Sequence, residues 1–288
     1  MSIESHISQE GIKIQDLNIE QPDNEPNALF DPRRDLPAGI FGRTQEMLKA
    51  NHEQAKWPDY FRDLCNARFI FPQRKHELEP TQEAVSGAKS ALEKLKQENK
   101  WTFFIYQAAD ARSASQEYRQ EFNPSEDEFK KVRDNLYTYI DDSNNAVDFR
   151  FFLDVVIKTK TLFPKKKLED FYLDEKWRAW VWSGVQKAIK EYRGDAYFLQ
   201  YEILANAKIL FPEKEKELEL DNYFTEDEMQ KYRDSNHRNT NYSGALSIGR
   251  SFKILAAKNI DITEDGLVTD LDVPFKESPV SLPEIKKF

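Results

Sequence analysis

Apolar side chains return at helical spacing through most of the chain between about residues 57 and 257. Phe198, Tyr201 and Leu204 interleave with Ile203, Ala207 and Leu210, the i, i+3, i+4, i+7 stripe of a helix that buries one face. Three such stretches run into nearly the same letters, Phe69-Ile-Phe-Pro72, Thr161-Leu-Phe-Pro164 and Ile209-Leu-Phe-Pro212. Proline lacks the amide a helix needs and disfavours helical backbone in the residue before it, so Phe71, Phe163 and Phe211 should sit at helix ends. A second set of helices is expected after polar connectors, over 82–98, 125–140, 174–193 and 225–236. Two of them open on capping boxes, Ser125-Glu-Asp-Glu128 and Thr225-Glu-Asp-Glu228, in which a hydroxyl and a glutamate satisfy free amides of the first turn. Asp174 is a further candidate cap, and a short helix is expected over 43–55.

These elements repeat. Steps of 44, 48, 48 and 45 superpose Trp57, Trp101, Phe149, Tyr197 and Tyr242, giving five copies. Eleven residues after each aromatic stands a cation: Arg68, Arg112, Lys160, Lys208 and Lys253. A two-helix unit of 44–48 residues in tandem resembles the HEAT and armadillo class of α-solenoids. The resemblance is architectural, covers residues 57–257, and implies a fold without implying an activity. The expected fold is therefore all-α: a short solenoid or curved bundle of helical hairpins over 43–257, with an extended arm at 1–42 and a hairpin and tail at 258–288. Phe71, Phe163 and Phe211 are expected to be buried at equivalent positions, each touching the next repeat.

Composition narrows the class. Of 288 residues, 42 are basic and 51 acidic, for a net charge of −9, and only 9 are glycine, which leaves little material for phosphate-cradling loops. Ten acidic and six basic groups fall in 1–56 and seven and four in 257–288, so the middle is nearly neutral, and bulk attraction to nucleic acid is not expected. Cys65, the one cysteine, cannot form an internal disulfide, and the first twenty residues hold no unbroken apolar run, which fits a reducing cytoplasm and no membrane. Residues 15–40, with four prolines among acids and asparagines, read as extended.

Candidate chemistry is sparse. Gly244 to Ser251 has the spacing of a phosphate-binding loop with Arg250 at the lysine position. The polar run before it and the 37 residues after it leave no parallel sheet to carry one, so a close-packed helix is the expectation. Asp261, Thr263, Asp265 and Asp272 fall where a twelve-residue calcium loop has ligands. Asp272 replaces the bidentate glutamate and Pro274 blocks the exiting helix, so a β-hairpin about Asp265-Gly266, without calcium, is expected. The histidines His6, His52, His76 and His237 are scattered, and Asp141-Asp142 lacks a second acidic triad. The five cations are candidate partner contacts that could follow a phosphate backbone or an acidic peptide. Alternatively, they sit in last helical turns and answer exposed carbonyls. The functional expectation is a non-catalytic protein-binding scaffold or assembly component without cofactor. A nucleic-acid-binding repeat using Arg68, Arg112, Lys160, Lys208 and Lys253 is one rival, and an all-α enzyme with an unrecognised site is the other.

Overall fold

The computed structural model describes residues 36–37, 39–142, 146–171, 175–191, 197–219, 222–237, 241–263, 266–269 and 271. The fold is all-α with one small β-hairpin. The described helices are α1 (Ile40–Glu53), α2 (Trp57–Ile70), α3 (Gln82–Gln97), α4 (Trp101–Ala114), α5 (Glu126–Asp142), α6 (Ala146–Leu162), α7 (Glu175–Glu191), α8 (Tyr197–Leu210), α9 (Glu226–His237) and α10 (Tyr242–Ala256). They are followed by β1 (Ile260–Thr263) and β2 (Gly266–Thr269). The arm at 1–35, the tail beyond 271 and Asp174 lie outside the described residues.

The expected helix starts carry their caps. Glu128 N donates to Ser125 Oγ at 3.2 Å while Ser125 N donates to Glu128 Oε2 at 2.6 Å, and Thr225 with Glu228 repeats the exchange at 3.2 and 2.8 Å. The ends are equally repetitive: the amides of Phe71, Phe163 and Phe211 close on the carbonyls of Ala67, Thr159 and Ala207. Pro72 and Pro212 then open short 3₁₀ turns over Pro72–Glu77 and Pro212–Leu218.

Two corrections to the repeat emerge. Three-residue links at 54–56 and 98–100 join α1 to α2 and α3 to α4, and each later odd-numbered helix also ends within five residues of the even-numbered helix after it, whereas the connectors after α2, α4, α6 and α8 are much longer. The structural unit therefore begins with the first helix of each such pair, and α1 is the outer helix of the first of five hairpins rather than a flanking element. The recurring phenylalanines accordingly pack backwards. Phe71 meets Phe41 of α1, Phe163 meets Phe129 of α5, and Phe211 meets Trp182 of α7, with ring centroids 5.2, 5.0 and 5.6 Å apart. Phe163 and Phe211 are buried, while Phe71 is half-buried.

The second helices of the hairpins make the core. Each of α2, α4, α6 and α8 packs on the next one in that series, and α10 packs on both α8 and α2. The series thus closes into a ring of five inner helices, with α1, α3, α5 and α7 packed against its outside. Sequence explains the layers: α3 and α5 are amphipathic, with one apolar stripe, while α4 and α8 carry apolar residues over much of their circumference, as suits helices flanked by ring neighbours on both sides. Two glycines allow close approach. A Cβ at Gly87 of α3 would stand 2.3 Å from the Trp57 indole, and one at Gly249 of α10 would stand 2.6 Å from the buried Leu36. The stretch spaced like a phosphate loop is thus interior to helix α10.

The β-hairpin sits over one end of the ring, β1 against α6 and β2 against α4. Its register pairs Thr263 with Gly266, so Gly266 opens β2. Asp261 and Thr263 lie on β1, opposite Val268 and Gly266. Asp265 and Asp272 lie outside the described residues.

Candidate functional site in the lumen of the ring

The five repeated cations all stand at one end of the inner helices, where carbonyls lack intrahelical partners. Arg68 donates through Nη1 to Lys75 O and Leu78 O and pairs with Glu79. Lys160 donates to Pro164 O and Lys166 O of its own connector. The other three reach across to the next inner helix. Arg112 of α4 donates to Thr161 O of α6 at 3.0 Å, and Lys208 of α8 donates to Leu255 O and Ala257 O at 3.0 and 2.6 Å. Lys253 of α10 donates to Phe69 O of α2 at 2.5 Å, which closes the circle. Arg68, Arg112 and Lys253 are 5, 5 and 2% exposed. These charges are directed at carbonyls inside the chain, where a cation at a helix C-terminus is stabilising.

The polar groups the repeat analysis passed over lie on the inner face. Counting five residues from each repeat aromatic gives Arg62, Tyr106, Asp154, Glu202 and Ser247, and counting nine gives Asn66, Asp110, Lys158, Asn206 and Ser251. Most of these border two cavities of about 240 and 220 Å³ along the ring axis. The first lies toward the helix C-termini and is walled by Leu267 and Val268 of the hairpin. The second lies toward the N-termini, among Tyr106, Arg150, Asp154, Glu202 and Asn206. Arg250 borders both.

Most of the lumen carboxylates are tied down. Asp110 and Lys158 form an ion pair buried on both sides. Glu202 accepts from Arg150 Nη1 at 2.7 Å and from Ser247 Oγ at 3.0 Å. Asp63 accepts from Arg62 Nε at 3.1 Å and Ser243 Oγ at 2.7 Å, and Arg62 also donates to Ser243 at 2.9 Å, a second set of bonds between the last hairpin and the first. Burial penalises the Lys158 ammonium, but Asp110 and Asp154 outweigh it and hold its pKa above the usual lysine value. Burial also pushes the Asp63 carboxyl up against the opposing pull of Arg62. Burial raises the Cys65 thiol to about 11 and, reinforced by Asp154, lifts the Tyr106 phenol well above its ordinary range. Neither group is poised to act as a nucleophile or base near neutrality. Among the described residues no cluster of three or more His, Cys, Asp or Glu could hold a metal ion, and no helix is long and apolar enough to cross a membrane.

Compared with protein-family models, curated proteins and solved structures, the chain matches none.

Proposed function

We propose that the protein is a non-catalytic association module whose acidic exterior engages a protein partner with a basic surface. The observation that carries this reading is the inward use of the repeat cations. The net charge is −9, and five of the positive charges are spent on carbonyls at the ends of inner helices, so the solvent-facing side is more acidic than the formal balance. Such a surface repels nucleic acid and steers basic proteins. The lumen supports the non-catalytic half of the reading, because its carboxylates are largely paired and its thiol and phenol are held protonated.

Capture on the tagged full chain from nuclease-treated extract of the native cell tests the proposal. The expected result is retention of a basic protein at about 0.1 M salt and its release toward about 1 M, where screening acts within about 3 Å. Loss of the captured material on nuclease treatment, or a captured protein that is acidic and indifferent to salt, would overturn it. Repeating the capture without residues 1–40 locates the contact: an equally stable chain that no longer retains the partner assigns the contact to the arm.

A further inference from the structure

The cavity toward the N-termini of the inner helices is balanced in charge among the described residues, Arg150 and Arg250 against Asp154 and Glu202, but it is not balanced in hydrogen bonds. Arg150 and Glu202 satisfy each other. The two Glu202 oxygens are taken by Arg150 Nη1 and Ser247 Oγ, at 2.7 and 3.0 Å. Three other groups of the same wall are left without such a match. Arg250 of α10 makes no hydrogen bond or contact ion pair among the described residues. Asp154 of α6 stands beside the Tyr106 hydroxyl and within electrostatic reach of Lys158, but Lys158 is in contact with Asp110, and Asp154 has no contact ion pair among the described residues. Asn206 of α8 is 4% exposed, and its Oδ1 has no hydrogen-bond partner among the described residues. A buried amide oxygen without a donor is costly unless something inside the cavity supplies one. Because α6, α8 and α10 are successive inner helices, one donor fork and two acceptors meet at a single space of about 220 Å³. The wall between α4 and α6 is aromatic. Tyr106 and Phe151 stack with centroids 5.0 Å apart and rings 10° from parallel, and Phe103, one turn before Tyr106 on α4, is 56% exposed.

We propose that this cavity binds a free α-amino acid with an apolar side chain, its carboxylate on Arg250, its ammonium between Asp154 and Asn206 Oδ1, and its side chain along Phe151 toward Phe103. The arginine fork matches a carboxylate through two parallel bonds. An ammonium has three donors and no acceptor, so it answers a carboxylate and an amide oxygen together. A ligand with one charge would leave either Arg250 or Asp154 unanswered, and water would answer both without using the aromatic wall. Stacked rings beside a few convergent polar groups suit a ligand with a charged head and an apolar body, and the space is on the scale of one small metabolite. The site is independent of the protein partner proposed above.

Calorimetric titration of the full chain with L-phenylalanine and with L-leucine tests the site. Binding of at least one is expected, with a rise in Tm. An amino acid that binds should exceed at least tenfold its own analogues lacking the ammonium or the carboxylate: phenylpropionate and phenethylamine for the first, isocaproate and isopentylamine for the second. Arg250→Gln and Asn206→Ala should each weaken the binding at least tenfold. Neither substitution removes a hydrogen bond made among the described residues, so both variants without ligand should melt near the parent temperature. Lys130→Gln, on the exposed face of α5, should leave binding unchanged. No heat and no Tm shift with either amino acid would mean a cavity that holds only water, and equal binding of a one-charge analogue would mean a site for a single ion; either overturns the proposal. Undiminished binding in Arg250→Gln or Asn206→Ala, or a ligand-free variant that melts well below the parent because its residue is engaged inside the fold, overturns it as well.

Discussion

A charge recurring once per repeat has two physical uses, to meet a ligand along the outside or to satisfy backbone left open by the fold. Lys253 illustrates the second, since its ammonium reaches a carbonyl 184 residues earlier in the chain and lies over the Phe69 ring at 4.7 Å. A charge-assisted hydrogen bond of this kind is worth about 1.5–3 kcal/mol, more than the usual worth of an exposed ion pair. Cys65 shows the same interior from the other side. Its raised pKa means that the folded chain holds the thiol proton more tightly than the unfolded chain does. The thiol therefore supports folding below pH 9 and withdraws that support as pH climbs from 9 through about 11. The rate of alkylation of native Cys65 by iodoacetamide should rise with a midpoint near 11, against about 9 in denaturant. A native midpoint below 8 would reveal an activated thiol and revive the enzymatic reading.

At the scale of elements, the letters next to each boundary decided how much could be read. The pattern predicts α3 over 82–98 and α9 over 225–236, and they run Gln82–Gln97 and Glu226–His237, because local chemistry writes their starts: Thr81 caps α3 and the Thr225 box caps α9. What pairs with what was harder to see. The aromatic at the start of each inner helix suggested the start of the unit, but the three-residue links before Trp57 and Trp101 make antiparallel neighbours of the helices they join. The phenylalanine before each proline therefore seals its own hairpin. Phe211, 2% exposed against Trp182, should cost about 3–5 kcal/mol when replaced by alanine, and half-buried Phe71 distinctly less. Urea denaturation of the two variants measures the difference, and equal losses would contradict the packing described.

The whole molecule turns on closure, which sequence periodicity does not encode: five units with one small bend extend as a solenoid, and with a larger bend return to their start. The contacts that decide it, Lys253 to Phe69 and Ser243 to Asp63, join residues 184 and 180 apart and carry no local signature. The lumen was legible in principle, since the columns five and nine residues after each repeat aromatic are almost uniformly polar, a pattern that buries sensibly only around an axis. Closure also bears on function, for a closed ring has no long concave groove and leaves its outer face and its lumen as the surfaces a partner or ligand could meet. Its most direct test is a cross-link between the first and last hairpins. Asp63→Cys with Ser243→Cys, in a Cys65→Ala background, places two thiols where Oδ1 and Oγ stand 2.7 Å apart. Mild oxidation should yield an intramolecular disulfide in monomeric chain, seen as faster migration without reductant. Failure of that pair to cross-link, while Thr102→Cys with Asn135→Cys in the same background does so across α4 and α5, would mean that the ring is open.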